Sequence, residues 1–243
     1  MKKVNIIRIK DGERTQTQDH LTKEVTLKVV INSEETLIFP CSGDYVNEMI
    51  TGYLYTRGYI STIGDINTLD YQMESLPADR RGYSQQAGLT ASVSLEKSKS
   101  LMDGFSGKAG IQLPTSQILE FMDTFTGLSE QFRMTGAVHT AAMVTQNGIQ
   151  KHFDDIGRHN AIDKLIGYGV TNNEPFSDKC LLLTCRMSQS IISKVISAGF
   201  PMVVSTSPPT DQALQMAREN NIAMAGFVRG NRMNIYNGEE SFL

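Results

Sequence analysis

The stretch CLLLTCRMSQSIISKVISAGFPMVVSTSPPTDQALQMARENNIAMAGFV, residues 180–228, decides the fold. Short apolar runs alternate there with segments whose apolar residues recur at helical spacing. Near-continuous apolar strands joined by helices are typical of a largely parallel sheet covered by helices on both faces, so we expect a three-layer α/β domain. The pattern predicts strands at Cys180–Thr184, Met202–Ser205 and Ala223–Val228, and helices at Ser188–Ala198 and Asp211–Asn220.

The same alternation extends upstream and downstream of this stretch. Apolar side chains between Ile118 and Phe125 recur at helical spacing, and Thr115 or Ser116 could cap that helix. We therefore assign residues 115–243 to one α/β domain. Its other predicted elements are strands at Val138–Val144, Ile149–Phe153 and Met233–Tyr236, and a helix from about Arg158 to Tyr168.

The first hundred residues predict a small β-rich domain with one helix. Val25, Leu27 and Val29 alternate with polar residues, which favours a hairpin ending at Pro40. A helix from Val46 should pack on the hairpin, with Ser42 or Asp44 as its cap. The predicted domain bounds are residues 1–100, a loop at 101–114, and 115–243. Short strands are expected at Thr68–Met73 and Ala91–Leu95, around a loop at Arg80-Arg81.

Composition excludes several classes of function. The net charge of −3 gives no general attraction to nucleic acid or to an anionic membrane surface. No apolar run is long enough for a membrane span, and the three cysteines have neither zinc-site nor disulfide-framework spacing, which fits a reducing compartment, so a cytoplasmic location is expected. His139, His152 and His159 have no spacing typical of a zinc site, and no metal is predicted.

Three strand-to-helix junctions, residues 155–158, 184–188 and 205–210, could bind an anion. In a parallel sheet such junctions meet at the carboxyl ends of the strands, where ligand crevices form and helix N-termini present free amides. Arg158 and Arg186 would add charged donors to a phosphate. The alternative is that the Ser, Thr and Asp residues are ordinary helix caps. A fourth segment, residues 227–232, follows a strand with Arg229 and Gly230 and is either a ligand-binding turn or a solvated hairpin turn.

One cysteine is a candidate reactive thiol. Cys180 begins an apolar strand and is expected in the core. Cys185 lies near a helix N-terminus and next to Arg186, which would favour its thiolate.

One longer stretch, DIGRHNAIDKLIG at Asp155–Gly167, closely resembles the signature of the FdhD/NarQ family of formate dehydrogenase accessory sulfurtransferases. The resemblance covers nearly the whole chain. Further similar stretches are Thr135–Ala142, Thr184–Ser188, Ala198–Pro201, Gly226–Gly230 and, in the first half, Gly52–Ile60.

The resemblance implies a β-rich domain joined to a cytidine-deaminase-like α/β domain, and a homodimer. It also implies delivery of sulfur from a cysteine desulfurase to the bis-molybdopterin guanine dinucleotide cofactor of formate dehydrogenase, with GDP or GTP as a mimic of that cofactor. The cofactor-binding residues that it implies, together with those from the junctions, are Phe227, Val228, Arg229, Gly230, Asn231, Arg232, Gly157, Arg158, His159, Asn160, Arg186 and His139.

The chain departs from the family at the loop that usually reads Cys-Gly-x-Cys-Gly-Lys. Here Asp103 and Ser106 stand at the two cysteine positions, and neither side chain can form a persulfide. Three hypotheses follow: a cofactor chaperone or regulator without sulfur carriage, a sulfurtransferase that uses Cys185 or Cys41 instead, and, from another class, a nucleotide hydrolase.

Overall fold

A computed structural model describes residues 1–76, 86–96 and 110–243 of the protein. The loop of Asp103 and Ser106 and the predicted loop at Arg80-Arg81 lie outside these residues. Among them, no helix is long and apolar enough to cross a membrane.

The first part of the chain forms a hairpin and a four-stranded sheet, as the β-rich prediction requires. The sheet has the order β4-β3-β6-β5, with β3 and β6 parallel and the other neighbours antiparallel. The predicted strands at Thr68–Met73 and Ala91–Leu95 are confirmed within the longer β5 and β6. The elements are β1 (Lys2–Lys10), β2 (Glu13–Leu21), β3 (Val25–Ile31), β4 (Glu35–Cys41), helix α1 (Val46–Thr56), β5 (Ile66–Leu76) and β6 (Gln86–Leu95).

Helix α1 begins without a side-chain cap, so the prediction that Ser42 or Asp44 caps it is wrong. Tyr45 is the residue before the helix, with a left-handed backbone at φ 49°. The Ser42 hydroxyl and the Asp44 carboxylate both contact the buried ammonium of Lys164 instead. The side-chain oxygens that the local sequence assigns to capping are therefore used in a tertiary contact with Lys164.

The second part contains every predicted element and one short helix that the sequence pattern did not indicate. Pro114, not Thr115 or Ser116, occupies the N-cap position of its first helix. The elements are α2 (Thr115–Leu128), the additional α3 (Glu130–Thr135), β7 (His139–Thr145), β8 (Gly148–Asp155), α4 (Arg158–Thr171), β9 (Cys180–Leu183), α5 (Gln189–Ala198), β10 (Met202–Ser205), α6 (Asp211–Glu219), β11 (Ala223–Arg229) and β12 (Arg232–Asn237).

The six strands of this part form one mixed sheet in the order β12-β11-β10-β9-β7-β8. Only β9, β10 and β11 run parallel, and β7, β8 and β12 pair antiparallel, so the expected largely parallel sheet is corrected to a parallel centre with antiparallel flanks. Alternate strand residues pack on α4, α5 and α6 on one face and on α2 on the other. The three-layer α/β prediction is confirmed, and the cytidine-deaminase-like topology stays a prediction.

The two parts are joined by a close contact between α1 and α4. A Cβ atom at Gly52 would overlap the Asp163 carbonyl, and one at Gly167 would overlap the Glu48 carbonyl. Only glycine lets the two helix backbones approach this closely. The predicted bounds at residues 100 and 115 stay a prediction, since residues 97–109 are not described.

Candidate functional site

A cavity of about 640 Å³ opens at one edge of the six-stranded sheet. Thr184 follows β9, Thr206 follows β10, and Arg229 ends β11, so the carboxyl ends of all three parallel strands reach it. Because β7 is antiparallel to β9, its first residue, His139, lies at the same edge. Ile156, which follows β8, completes this wall. The edge predicted from the strand-to-helix junctions is therefore the edge that carries the cavity.

The other wall of the cavity comes from α2 and α3. Sequence reasoning predicted the helix α2 but not its place at the site, and it did not predict α3. Met122, Asp123 and Phe125 come from α2, and Phe132 comes from α3. Phe132 is 47% exposed although it is a large apolar residue. The α2 pattern indicated only a core face, and no motif points from α2 to the parallel strands β9, β10 and β11, which begin more than fifty residues later.

The polar groups that line the cavity fall into two sets. Ser129 and Thr140 both donate from their hydroxyls to the Asp154 carboxylate, at 2.6 Å each, and the Thr184 hydroxyl accepts from the Thr140 amide at 2.9 Å. These groups hold the wall together. In the described part of the chain, the side chains of the second set make no hydrogen bond or ion pair and are available to a ligand; they are Asp123, His139, Thr206 and Arg229.

Four of the predicted cofactor-binding residues line the cavity: His139, Val228, Arg229 and Gly230. Gly230 has a φ of +56°, and a Cβ atom placed at this position would meet no atom within 4 Å. A ligand can therefore approach its backbone. The other predicted positions do not line it; they are Gly157, Arg158, His159, Asn160, Arg186, Phe227, Asn231 and Arg232. Arg229 and Arg186 are both exposed, but of the two only Arg229 lines the cavity.

Phe227 has an unusual backbone next to the cavity. Its φ is 54°, a left-handed value that is uncommon for a bulky residue, and the register of β11 against β12 shifts between Gly226 and Arg229. Its ring is 41% exposed. The irregularity turns the end of β11 so that Val228 and Arg229 both line the cavity.

The stretch Asp155–Gly167, which resembles the family signature, forms a buried polar network next to the cavity. The Asp155 carboxylate accepts from the Gly157 amide at 2.9 Å and from the Asn160 side-chain amide at 2.8 Å. It also pairs with the Lys164 ammonium at 2.8 Å, and both side chains are fully buried. Asn160 donates further to the Pro40 carbonyl at 2.8 Å, which links the turn to the first part of the chain. This network fixes the turn that places Ile156 in the cavity wall.

Two histidines near this turn are poor proton acceptors. Burial, with a contribution from Arg158, lowers the pKa of His139. Burial and the positive charges of Lys194, Arg158 and Arg57 lower the pKa of His159 to about 4. Both rings are therefore neutral at neutral pH. The His159 ring lies 3.5 Å from the Ser190 hydroxyl, at the start of α5.

The three cysteines are all buried, with no disulfide among them. Burial raises the pKa of Cys185 to about 11, and Arg158 and Arg186 only partly offset it. This direction is opposite to the lowered pKa that its helix-terminal position predicted. Burial likewise raises the pKa of Cys41 to about 11, and that of Cys180 even further. None of the three has the exposed thiolate that persulfide chemistry requires.

Comparisons with known proteins give one family. A model described as the FdhD/NarQ family matches residues 22–243. The chain is similar to two proteins named sulfur carrier protein FdhD. It is 28% identical to that of Listeria monocytogenes, over 97% of this chain and 96% of the relative, and 32% identical to that of Halalkalibacterium halodurans, over 98% and 94%. It also has the fold of a crystal structure from Desulfotalea psychrophila described as a formate dehydrogenase accessory protein, with a TM-score of 0.79, 22% identity and coverage of 99% and 98%.

Proposed function

Because the chain belongs to the FdhD/NarQ family, we propose that it is an accessory protein of formate dehydrogenase maturation that holds a nucleotide end of the bis-molybdopterin guanine dinucleotide cofactor in the cavity of the six-stranded sheet. The observation that carries the proposal is the position of Arg229, whose guanidinium has no hydrogen-bond or ion-pair partner in the described ranges and lies beside the open backbone of Gly230, at the carboxyl edge of parallel strands. Such an edge is where α/β sheets bind phosphorylated ligands.

The cavity fits one nucleotide end of that cofactor in size and chemistry. A volume of about 640 Å³ is within the range of small-molecule sites but cannot enclose a molecule with two pterins and two guanine nucleotides. Arg229 would bind a phosphate through charge-assisted hydrogen bonds, and the Gly230 backbone allows close approach. Met122, Phe125 and Val138 would contact the ring system. When bound, the cofactor supplies the molybdenum chemistry, and the chain binds and orients it.

The proposed role is that of a cofactor chaperone without sulfur carriage. Asp103 and Ser106 replace the cysteine pair, and the three cysteines present are buried with raised pKa values. Formate dehydrogenase is the proposed partner. The cysteine desulfurase and the homodimer stay expectations of the resemblance. No observation favours the nucleotide hydrolase, and in the described residues no group of three or more His, Cys, Asp and Glu side chains is gathered to hold a metal.

Calorimetric titration with GDP tests the site. We expect Arg229→Ala to weaken GDP binding by about tenfold or more, because a charge-assisted hydrogen bond contributes roughly 1.5–3 kcal/mol. Arg218→Ala, on the exposed side of α6, is the matched control and should bind GDP like the unaltered chain. Equal binding by the two variants would show that the phosphate lies elsewhere.

Complementation tests the cellular role. In a strain without its own family member, we expect formate dehydrogenase activity from the Asp103→Cys/Ser106→Cys double variant and not from the unaltered chain. That result would show an intact scaffold with missing sulfur chemistry. Activity restored equally by the unaltered chain would contradict the assignment as a chaperone without sulfur carriage.

A further inference from the structure

We propose that the Asp123 carboxylate selects the ring that enters the cavity, by accepting hydrogen bonds from the ring N–H and the amino group of a 2-amino-4-oxopyrimidine edge. Guanine and pterins share this edge, and adenine lacks it. The inference rests on the proposed function, since it concerns the ligand of the same cavity. It adds a specificity-determining residue that no sequence motif indicated.

Asp123 is, like Glu120, an exposed residue of α2, but it lines the cavity. No described residue donates a hydrogen bond or ion pair to its carboxylate. The Thr126 hydroxyl donates to the Asp123 backbone carbonyl, at 3.0 Å, and leaves the carboxylate free. The carboxylate is therefore solvent-exposed at a mostly apolar cavity wall, with all its acceptor positions open to a ligand.

Asp123 also has no role in stabilising helix α2. It is the ninth residue of a helix that begins at Thr115, so it is far from the first turn, where a carboxylate caps free amides or benefits from the helix dipole. Aspartate is among the weaker helix formers at an interior position. A ligand that donates hydrogen bonds would give the side chain a function that the fold does not.

Among the described residues that line the cavity, the two charged side chains are Arg229 and Asp123, and each would bind a different part of the ligand. Arg229 is suited to a phosphate, whereas a carboxylate repels phosphate and binds donors. Guanine and pterin present two adjacent donors that one carboxylate can accept together. Adenine has an acceptor nitrogen at the corresponding ring position, which would face the carboxylate without a proton between them. The half-exposed Phe132 ring on the same wall offers a stacking surface.

Ligand discrimination by the unaltered chain is the first test. We expect GDP to bind about tenfold or more tightly than inosine diphosphate, which lacks the amino group, and than ADP, because sites built on hydrogen bonds reject analogues that leave them unpaired. Unsubstituted pterin is titrated separately. Free guanine is the matched comparison for pterin, because neither carries a phosphate; the tighter of these two identifies which ring of the cofactor enters, and both are expected to depend on Asp123.

A change of preference in Asp123→Asn is the second test. The asparagine amide can donate to the 2-oxo group of xanthine, so we expect the variant to lose affinity for GDP and to gain affinity for xanthosine diphosphate. A merely structural residue would not produce this gain. Glu120→Gln, an exposed acid on the same helix that does not line the cavity, is the control and should keep the preference for GDP.

The outcomes separate this inference from the proposed function. If GDP binding depends on Arg229 but is equal for inosine diphosphate and unchanged in Asp123→Asn, the assignment of Asp123 is wrong and the cavity stands. If the unaltered chain binds neither GDP nor pterin, both proposals fail.

Discussion

Replacing Lys164 by Met should remove the centre of the buried network between the two parts of the chain. Its ammonium lies 2.6 Å from the Asp44 carboxylate, 2.8 Å from that of Asp155, and 2.9 Å from the Asp154 carbonyl. Methionine has a similar length and no charge, so the variant keeps most of the packing and leaves Asp155 without its counter-ion. Removing one partner of a buried ion pair costs roughly 3–5 kcal/mol.

The structure puts the expected loss at the lower end of that range. Asp155 is fully buried but keeps three amide donors, from Ser42, Gly157 and the Asn160 side chain, and it shares the Ser42 hydroxyl proton with Asp44. Asp44 is half exposed and can be solvated. We therefore expect Lys164→Met to lower the free energy of unfolding by about 3 kcal/mol. The double variant Lys164→Met/Asp155→Asn should lose less than the sum of the two single losses, since it leaves no orphaned charge.

Urea unfolding followed by far-ultraviolet circular dichroism measures these differences. Lys151→Met is the matched control, because the Lys151 ammonium is only near the Phe153 and Tyr168 rings, at 5.1 and 5.0 Å, and should cost less than about 1 kcal/mol. A loss in Lys164→Met as small as that of the control would refute the buried network as the link between the two parts. Additive losses in the double variant would refute the coupling of Lys164 and Asp155.

Two further predictions concern pH and packing. The pKa of His159 is lowered from 6.5 to about 4, so the unfolded chain binds its proton first as the pH falls, and folding stability should decline across that interval. In His159→Gln this decline should be smaller. If urea unfolding gives the same dependence of stability on pH for the variant and the unaltered chain, the lowered pKa of His159 is contradicted. Gly52→Ala should destabilise the protein by about 1–3 kcal/mol or more, because α1 must move away from α4. Gly127→Ala, where a Cβ meets nothing within 4 Å, should leave the melting temperature unchanged or slightly higher.

The sequence predicted the parallel centre of the sheet well, because its strands are buried on both faces. Such strands are continuous apolar runs, and Met202–Ser205 was predicted with its observed bounds. The antiparallel flanks were not recognised, since strand direction depends on connections and not on the residues of a strand. Local rules failed where tertiary contacts compete with them, as at Ser42, whose hydroxyl contacts Lys164 and not the start of α1.

The candidate site was predictable only on the side that strand-to-helix junctions form. Arg229 and Gly230 follow from the rule that ligands bind at the carboxyl ends of parallel strands, whereas His139 begins the antiparallel β7 and does not follow from it. Asp123 and Phe132 could not be found in this way, because they belong to elements that reach the cavity by folding over the sheet. Arg186 shows the opposite error: it follows a strand as the rule requires, yet its side chain is exposed and does not line the cavity.

The signature at Asp155–Gly167 explains how membership of the family is compatible with Asp103 and Ser106 at the positions of the family's cysteine pair. Three of its polar residues, Asp155, Asn160 and Lys164, bind one another or the first part of the chain. Their interactions specify the joint between the two parts and the turn beside the cavity, and they contribute no thiol. A chain can therefore keep this scaffold intact while Asp103 and Ser106 replace the sulfur-carrying pair in a separate loop. The proposed cofactor binding depends on this scaffold and on the cavity beside it, and requires no thiol.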